Sequence, residues 1–317
     1  VIPRQARRAR ARAIVRSIDP STRPWLVPVA CGLVAIALAG VALAPSLEPA
    51  GWNVTALPRV DATTGMGVEA RAIDHSFHLV QQDAYDGQFY WGIAVDPLAT
   101  SSVHRSFDKP SYRYGHPLYG WLGWLASAGQ APAAAAALLV AGLVSLAAAA
   151  VAAAYLGLAR GSRGWEGLFV ALNPGLLYSA AHDLAEPLAA ALLLGALNGY
   201  VRRRRLLMLG CLVFLPLAKE VLVLVPFALV AWEQLRRRRV AHALPILATV
   251  LPAAAWWGFA RFHLGAWFTS GDTALGAPFA GWWNALEVAG IRSYDATWSV
   301  AQLGEATIVG LAALLGL

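Results

Sequence analysis

The chain has 317 residues, of which 58% are hydrophobic and only 14% charged. A soluble domain carries about 25% charged residues; here the apolar residues run in long blocks, which excludes an ordinary soluble fold and predicts an all-α, multi-span membrane bundle. The net charge of +7 does not point to nucleic acid, because the arginines cluster at 4–16, 202–205 and 236–239 beside apolar blocks, where they read as topology signals and anionic-lipid contacts.

Seven arginines precede the first apolar block, at about 25–45. That block is long enough to span, so an uncleaved first helix is expected rather than a cleaved signal peptide. Residues 1–24 then form a cytoplasmic basic segment, and residues 46–115 a long polar outer loop. Residues 116–129, "HPLYGWLGWLASAG", are apolar but short and broken by glycine, and read as a re-entrant or interfacial segment packed on protein. An Ala-rich helix follows at about 131–157 and ends near Arg160 and Arg163. Spans at about 165–180 and 184–200 lead out to "AHDLAEP" and back to "RRRR".

About 30 apolar residues, 206–235, separate two Arg clusters. One span cannot keep both clusters inside. Two short helices can, if they turn near Pro216, Ala218, Lys219 and Glu220. Lys219 and Glu220 then sit at outer membrane depth, where ionisable groups are functional candidates; the structural alternative is a Lys-Glu self-pair that fixes the hairpin. A further span at about 241–260, an outer segment at 262–300 and a last block at 301–317 bring the count to about eight. The chain stops inside that apolar block, so the natural protein is expected to continue past Leu317. Cys31 and Cys211 both lie in apolar blocks and suggest neither a disulfide framework nor a metal site.

This threading gathers three polar groups on one side: Asp83 and Asp86; His182, Asp183 and Glu186; Lys219 and Glu220. Asp83 and Asp86 share a face if their segment is helical, as do Asp183 and Glu186. Carboxylates at a membrane rim can act as general bases or hold a divalent metal, and a cation beside them can hold an anionic leaving group. Each group also has a plainer reading. His116 before Pro117 can cap its segment, and His182 can be a loop histidine. Tyr90, Trp91, Tyr119, Trp121 and Trp124 can be interfacial anchors.

"YDGQFYWGIAVDP" followed by "YRYGHPLYGWLGWL" resembles the first outer loop of the GT-C superfamily of membrane glycosyltransferases. Asp86-Gly87-Gln88-Phe89-Tyr90 stands where those enzymes often carry Asp-Glu-x-x-Tyr. His116-Pro117-Leu118-Tyr119 stands where they carry a Pro-Leu-Tyr segment. Gly87 in place of an acidic neighbour is a departure. The resemblance implies a bacterial plasma-membrane enzyme with a cytoplasmic N-terminus and an outward-facing site. It implies transfer of a sugar from a polyprenyl phosphate to a glycan, lipid or protein acceptor, with residues 25–317 as the catalytic module. It further implies Asp86 as the base, Lys219 with Arg113 or His116 at the leaving phosphate, and Asp183 and Glu186 orienting sugar or acceptor. Asp83, Gln88, Tyr90, Tyr114, His182 and Glu220 complete the expected sugar site. A divalent metal at Asp86, Asp183 and Glu186 stays open. The competing readings are a transporter or flippase of a lipid-linked sugar, which would show paired inverted halves, and a non-catalytic scaffold.

Overall fold

The computed structural model describes residues 24–81, 84–237 and 240–271. The chain divides into one compact unit ending at Phe268 and a second from Thr269 onward, of which only the first three residues are described. The basic segment 4–16, Asp83, most of 262–300 and the expected last span lie outside the described residues.

Among the described residues the fold is helical, with no strand and a single isolated bridge between Asp61 and Val80. Three stretches, Leu26–Leu47, Ala131–Ala159 and Ala243–Leu264, are long and apolar enough to cross a membrane. Helices Glu186–Val201 and Arg205–Ala218 are apolar but shorter.

Helix α1 (Leu26–Leu47) buries Cys31, Ala35 and Ala39, spaced by four residues, on one face. These meet Leu146, Ala150 and Ala154 of the long helix α6 (Ala134–Ala159). Small residues at that seam let two apolar helices approach closely without a polar face.

The 46–115 region is not an open loop. It folds into α2 (Gly65–Ile73), α3 (Gly87–Val95) and α4 (Pro110–Arg113). Its Met66, Phe77, Trp91, Ile93 and Phe107 enter the largest core. The aromatic run that reads as interfacial anchoring therefore largely serves packing: Tyr90, Trp91 and Tyr119 are buried, and the Tyr119 hydroxyl donates to the Leu138 carbonyl. Trp121 donates to the Pro97 carbonyl, and Trp124 is the exposed member. Helix α5 (Leu118–Ala126) packs into the same core through Leu118 and Tyr119, as expected of a short segment resting on protein.

The stretch expected as one span at 165–180 is two short helices, α7 (Gly167–Ala171) and α8 (Pro174–Ala180). The Asn173 side chain accepts the Leu176 N–H, and Pro174 follows at the first helical position. Both features start a new helix and stop the old one.

Helix α9 (Glu186–Val201) turns through Arg202–Arg204 into α10 (Arg205–Ala218). The turn is tight because Gly199 lies against the Met208 backbone, where a side chain would collide. Helix α10 ends at Ala218, and Lys219 is extended (φ −151°, ψ 121°). A 3-10 turn, Glu220–Val223, then leads into α11 (Leu224–Arg237). The break falls within the Pro216–Glu220 stretch where the sequence reading expects a turn. Helices α12 (Val240–Ala248) and α13 (Leu251–Leu264) complete the described bundle. Helix α13 docks on the 114–115 backbone: Trp256 donates to the Tyr114 carbonyl and Trp257 to the Gly115 carbonyl.

Candidate active site

Asp86 occupies the position before α3, at its N-terminal end. Its side chain is 56% exposed and accepts a hydrogen bond from Arg113 Nη1 at 3.0 Å through Oδ1. Arg113 also makes a two-nitrogen contact with Asp108 and lies over the Phe89 ring at 3.7 Å. It is 13% exposed. Burial works against its charge, but Asp108 and Asp86 more than offset that, and its pKa lies above the ordinary arginine value. The same contact holds the Asp108 carboxyl below its ordinary range despite partial burial. An arginine held this way fixes the orientation of Asp86.

Gly87 explains how the Asp86 stretch reaches the turn around His182. A Cβ at Gly87 would collide with the His182 carbonyl oxygen and crowd the Pro58 backbone. The missing side chain thus serves a close approach of two protein backbones. The His182 ring stacks on Tyr178 (4.0 Å between centroids) and pairs through Nδ1 with the Tyr178 carbonyl. Burial holds its imidazole below the ordinary value. Tyr85 meets both rings edge-on. Tyr85 and Tyr178 are exposed aromatics beside Asp86, and sequence reasoning passed over both. The signal was available: Tyr178 lies four residues before His182, one turn of helix away.

The neighbouring residues Lys219 and Glu220 take different partners, which overturns the self-paired hairpin. Lys219 Nζ lies 2.8 Å from Glu186 Oε1 at the start of α9. Glu220 Oε2 lies 2.7 Å from His116 Nδ1, although the two atoms are poorly aligned for a hydrogen bond. The His116 ring also faces Tyr90 and Tyr112, so it is a buried partner rather than a simple cap. Tyr90 is the hub of the cluster: it adjoins His116 and Tyr119 and lies within electrostatic reach of Lys219, Glu186 and Asp86.

Asp183 is 0% exposed and adopts a left-handed backbone (φ 51°), a conformation Asp tolerates better than most residues. It therefore does not extend the Glu186 helix face. Neither carboxyl oxygen has a hydrogen-bond partner, and burial drives its pKa well above the ordinary carboxylate value. It lies close enough to act on Tyr119.

The structure thus brings Asp86, Arg113, Tyr90, His116, Glu186, Lys219 and Glu220 around one region, with His182 and Asp183 on its flank. Gln88 is buried at the start of α3. Tyr114 belongs to the core instead: its hydroxyl donates to the Asp96 carbonyl, and its ring stacks on Phe107. Among the described residues no group of three or more His, Cys, Asp or Glu side chains is arranged to hold a metal ion, so Asp86, Asp183 and Glu186 do not form one. Comparison with protein families, with characterised proteins and with solved structures finds no match.

Proposed function

We propose that the chain is an inverting membrane glycosyltransferase of the GT-C type, using a polyprenyl-phosphate-linked sugar on the outer face of the membrane. The observation that carries this reading is the neighbourhood of Tyr90. A half-exposed, oriented carboxylate (Asp86) and a cation held by a helix-start glutamate (Lys219–Glu186) both lie within its electrostatic reach. A base and a cation in one place are what sugar transfer from a phosphate ester requires.

In this reading the acceptor hydroxyl gives its proton to Asp86 as its oxygen bonds to the anomeric carbon. The bond from that carbon to the phosphate oxygen breaks, and its electron pair leaves with the polyprenyl phosphate. By analogy with glycoside hydrolysis the sugar passes through an oxocarbenium-like state. Lys219 offsets the charge gained by the phosphate, with His116 beside it. Arg113, engaged with Asp86 and Asp108, orients the base. Tyr85 and Tyr178 offer stacking surface to the sugar or acceptor, and Glu186 holds Lys219.

The same reading places the Arg202–Arg205 turn in the cytoplasm and the Asp86 cluster outside. It counts about eight crossings: α1, α6, α7–α8, α9, α10, α11, α12–α13 and the block at 301–317. Helix α9 supports opposite sides for the two sites, because Glu186 begins it and Arg202 follows it, about 24 Å apart at 1.5 Å per residue. The test is transfer by the purified chain from a panel of polyprenyl-phosphate sugars, with products read by mass spectrometry. Transfer from one donor class is expected. No transfer from any donor, by protein that is folded, contradicts the proposal.

A further inference from the structure

A cavity of about 740 Å³ runs between α6, α9 and α10, away from the Asp86 cluster. Along most of its length the lining is apolar, with Val144 and Ala148 of α6 opposite Leu192 of α9. One end is basic, formed by Arg202 and Arg204 of the α9–α10 turn. The Arg202 guanidinium is fixed there, donating to the Tyr155 carbonyl and lying over the Tyr155 ring. One helical turn inward, Asn198 lines the same cavity. Its amide nitrogen donates to the Ala152 and Leu194 carbonyls, while its buried Oδ1 has no partner.

We infer that this groove binds an anionic phospholipid, with the phosphate at Arg202 and Arg204 and one acyl chain along α6 and α9. The lining changes character along its length as a lipid does. From Leu188 to Arg202 the groove follows α9 for about 21 Å, against about 15 Å for the hydrocarbon of one leaflet. The basic end supplies the complementary charge. The unpartnered Asn198 oxygen marks how deep polar headgroup atoms and their hydration reach. The basic end that would hold the phosphate lies at the far end of α9 from Glu186, so the headgroup site is separate from sugar transfer. It rests only on α6 and α9 lying in a membrane.

The test titrates the full chain, purified in a neutral detergent, with phosphatidylglycerol and follows thermal unfolding. Controls are phosphatidylcholine with the same acyl chains, and inorganic phosphate. A ligand that binds the fold raises the midpoint saturably. We expect that rise with phosphatidylglycerol alone. Arg204→Gln removes an exposed charge and should weaken apparent affinity about fivefold. Ala148→Phe fills the groove from an exposed position and should abolish the saturable rise while leaving the lipid-free midpoint near that of the parent. An equal response to phosphatidylcholine, or to phosphate alone, overturns the inference. So does an Arg204→Gln response equal to the parent's, a comparison that stands even if Ala148→Phe does not fold.

Discussion

Lys219 Nζ lies 2.8 Å from Glu186 Oε1, tying the end of α10 to the start of α9. The partnership crosses between helices instead of joining the adjacent Lys219 and Glu220. Both side chains are partly exposed, at 30% and 40%, so solvent screens the pair and its coupling should be about 1 kcal/mol or less. A double-mutant cycle with Lys219→Met and Glu186→Gln reads it. The double variant should lose less thermal stability than the two single losses added together. Strict additivity contradicts the pairing.

Gly87 should tolerate no side chain. The Gly87→Ala methyl would meet the His182 carbonyl and the Pro58 backbone, neither of which can swing aside as a side chain end can. Overpacking of this kind costs about 1–3 kcal/mol. Thermal unfolding should show a clear loss, and transfer should fall because Asp86 is displaced. A variant as stable as the parent means the two backbones are not in contact.

Asp183 gives a pH signature. Its folded pKa is raised by burial, so its contribution to stability is fully present below the unfolded value of about 3.9 and is lost as pH rises through the folded value. Asp183→Asn removes that titration and leaves an amide of nearly the same shape. The variant should therefore gain stability relative to the parent as pH rises from about 5 to about 9. A constant difference across that range contradicts a carboxyl held neutral by the fold.

Topology is tested by labelling. In a version lacking Cys31 and Cys211, single cysteines replacing Arg203 and Ser162 should react only from the cytoplasmic side, and one replacing Tyr85 only from outside. Outside labelling at position 203 contradicts the proposed orientation, in which both Arg clusters face the cytoplasm.

Much of this arrangement was legible in the sequence, for reasons that differ by element. The first helix and the Ala-rich helix stand out because an unbroken apolar run of more than 20 residues has few other uses. The break at Lys219 was legible from charge alone. The Asn173–Pro174 interruption was visible in principle, since such a pair favours a new start, but an apolar stretch of span-like length concealed it. The folding of 46–115 was harder to see. Its core residues, Met66, Phe77 and Trp91, are scattered among polar ones and bury only against distant helices. Which acid Lys219 would choose, and that Tyr114 would turn inward to Asp96, depend on backbone placement that no local spacing encodes.

The most direct test compares sugar transfer by Asp86→Asn and Asp108→Asn at equal folded amounts. Both carboxylates hold Arg113, so both variants disturb that arginine, but only Asp86 is proposed to take the acceptor proton. A general base contributes about 10²- to 10⁴-fold. Asp86→Asn should lose transfer in that range while donor binding changes little, and Asp108→Asn should lose far less. Near-normal turnover by Asp86→Asn would contradict the account at its centre.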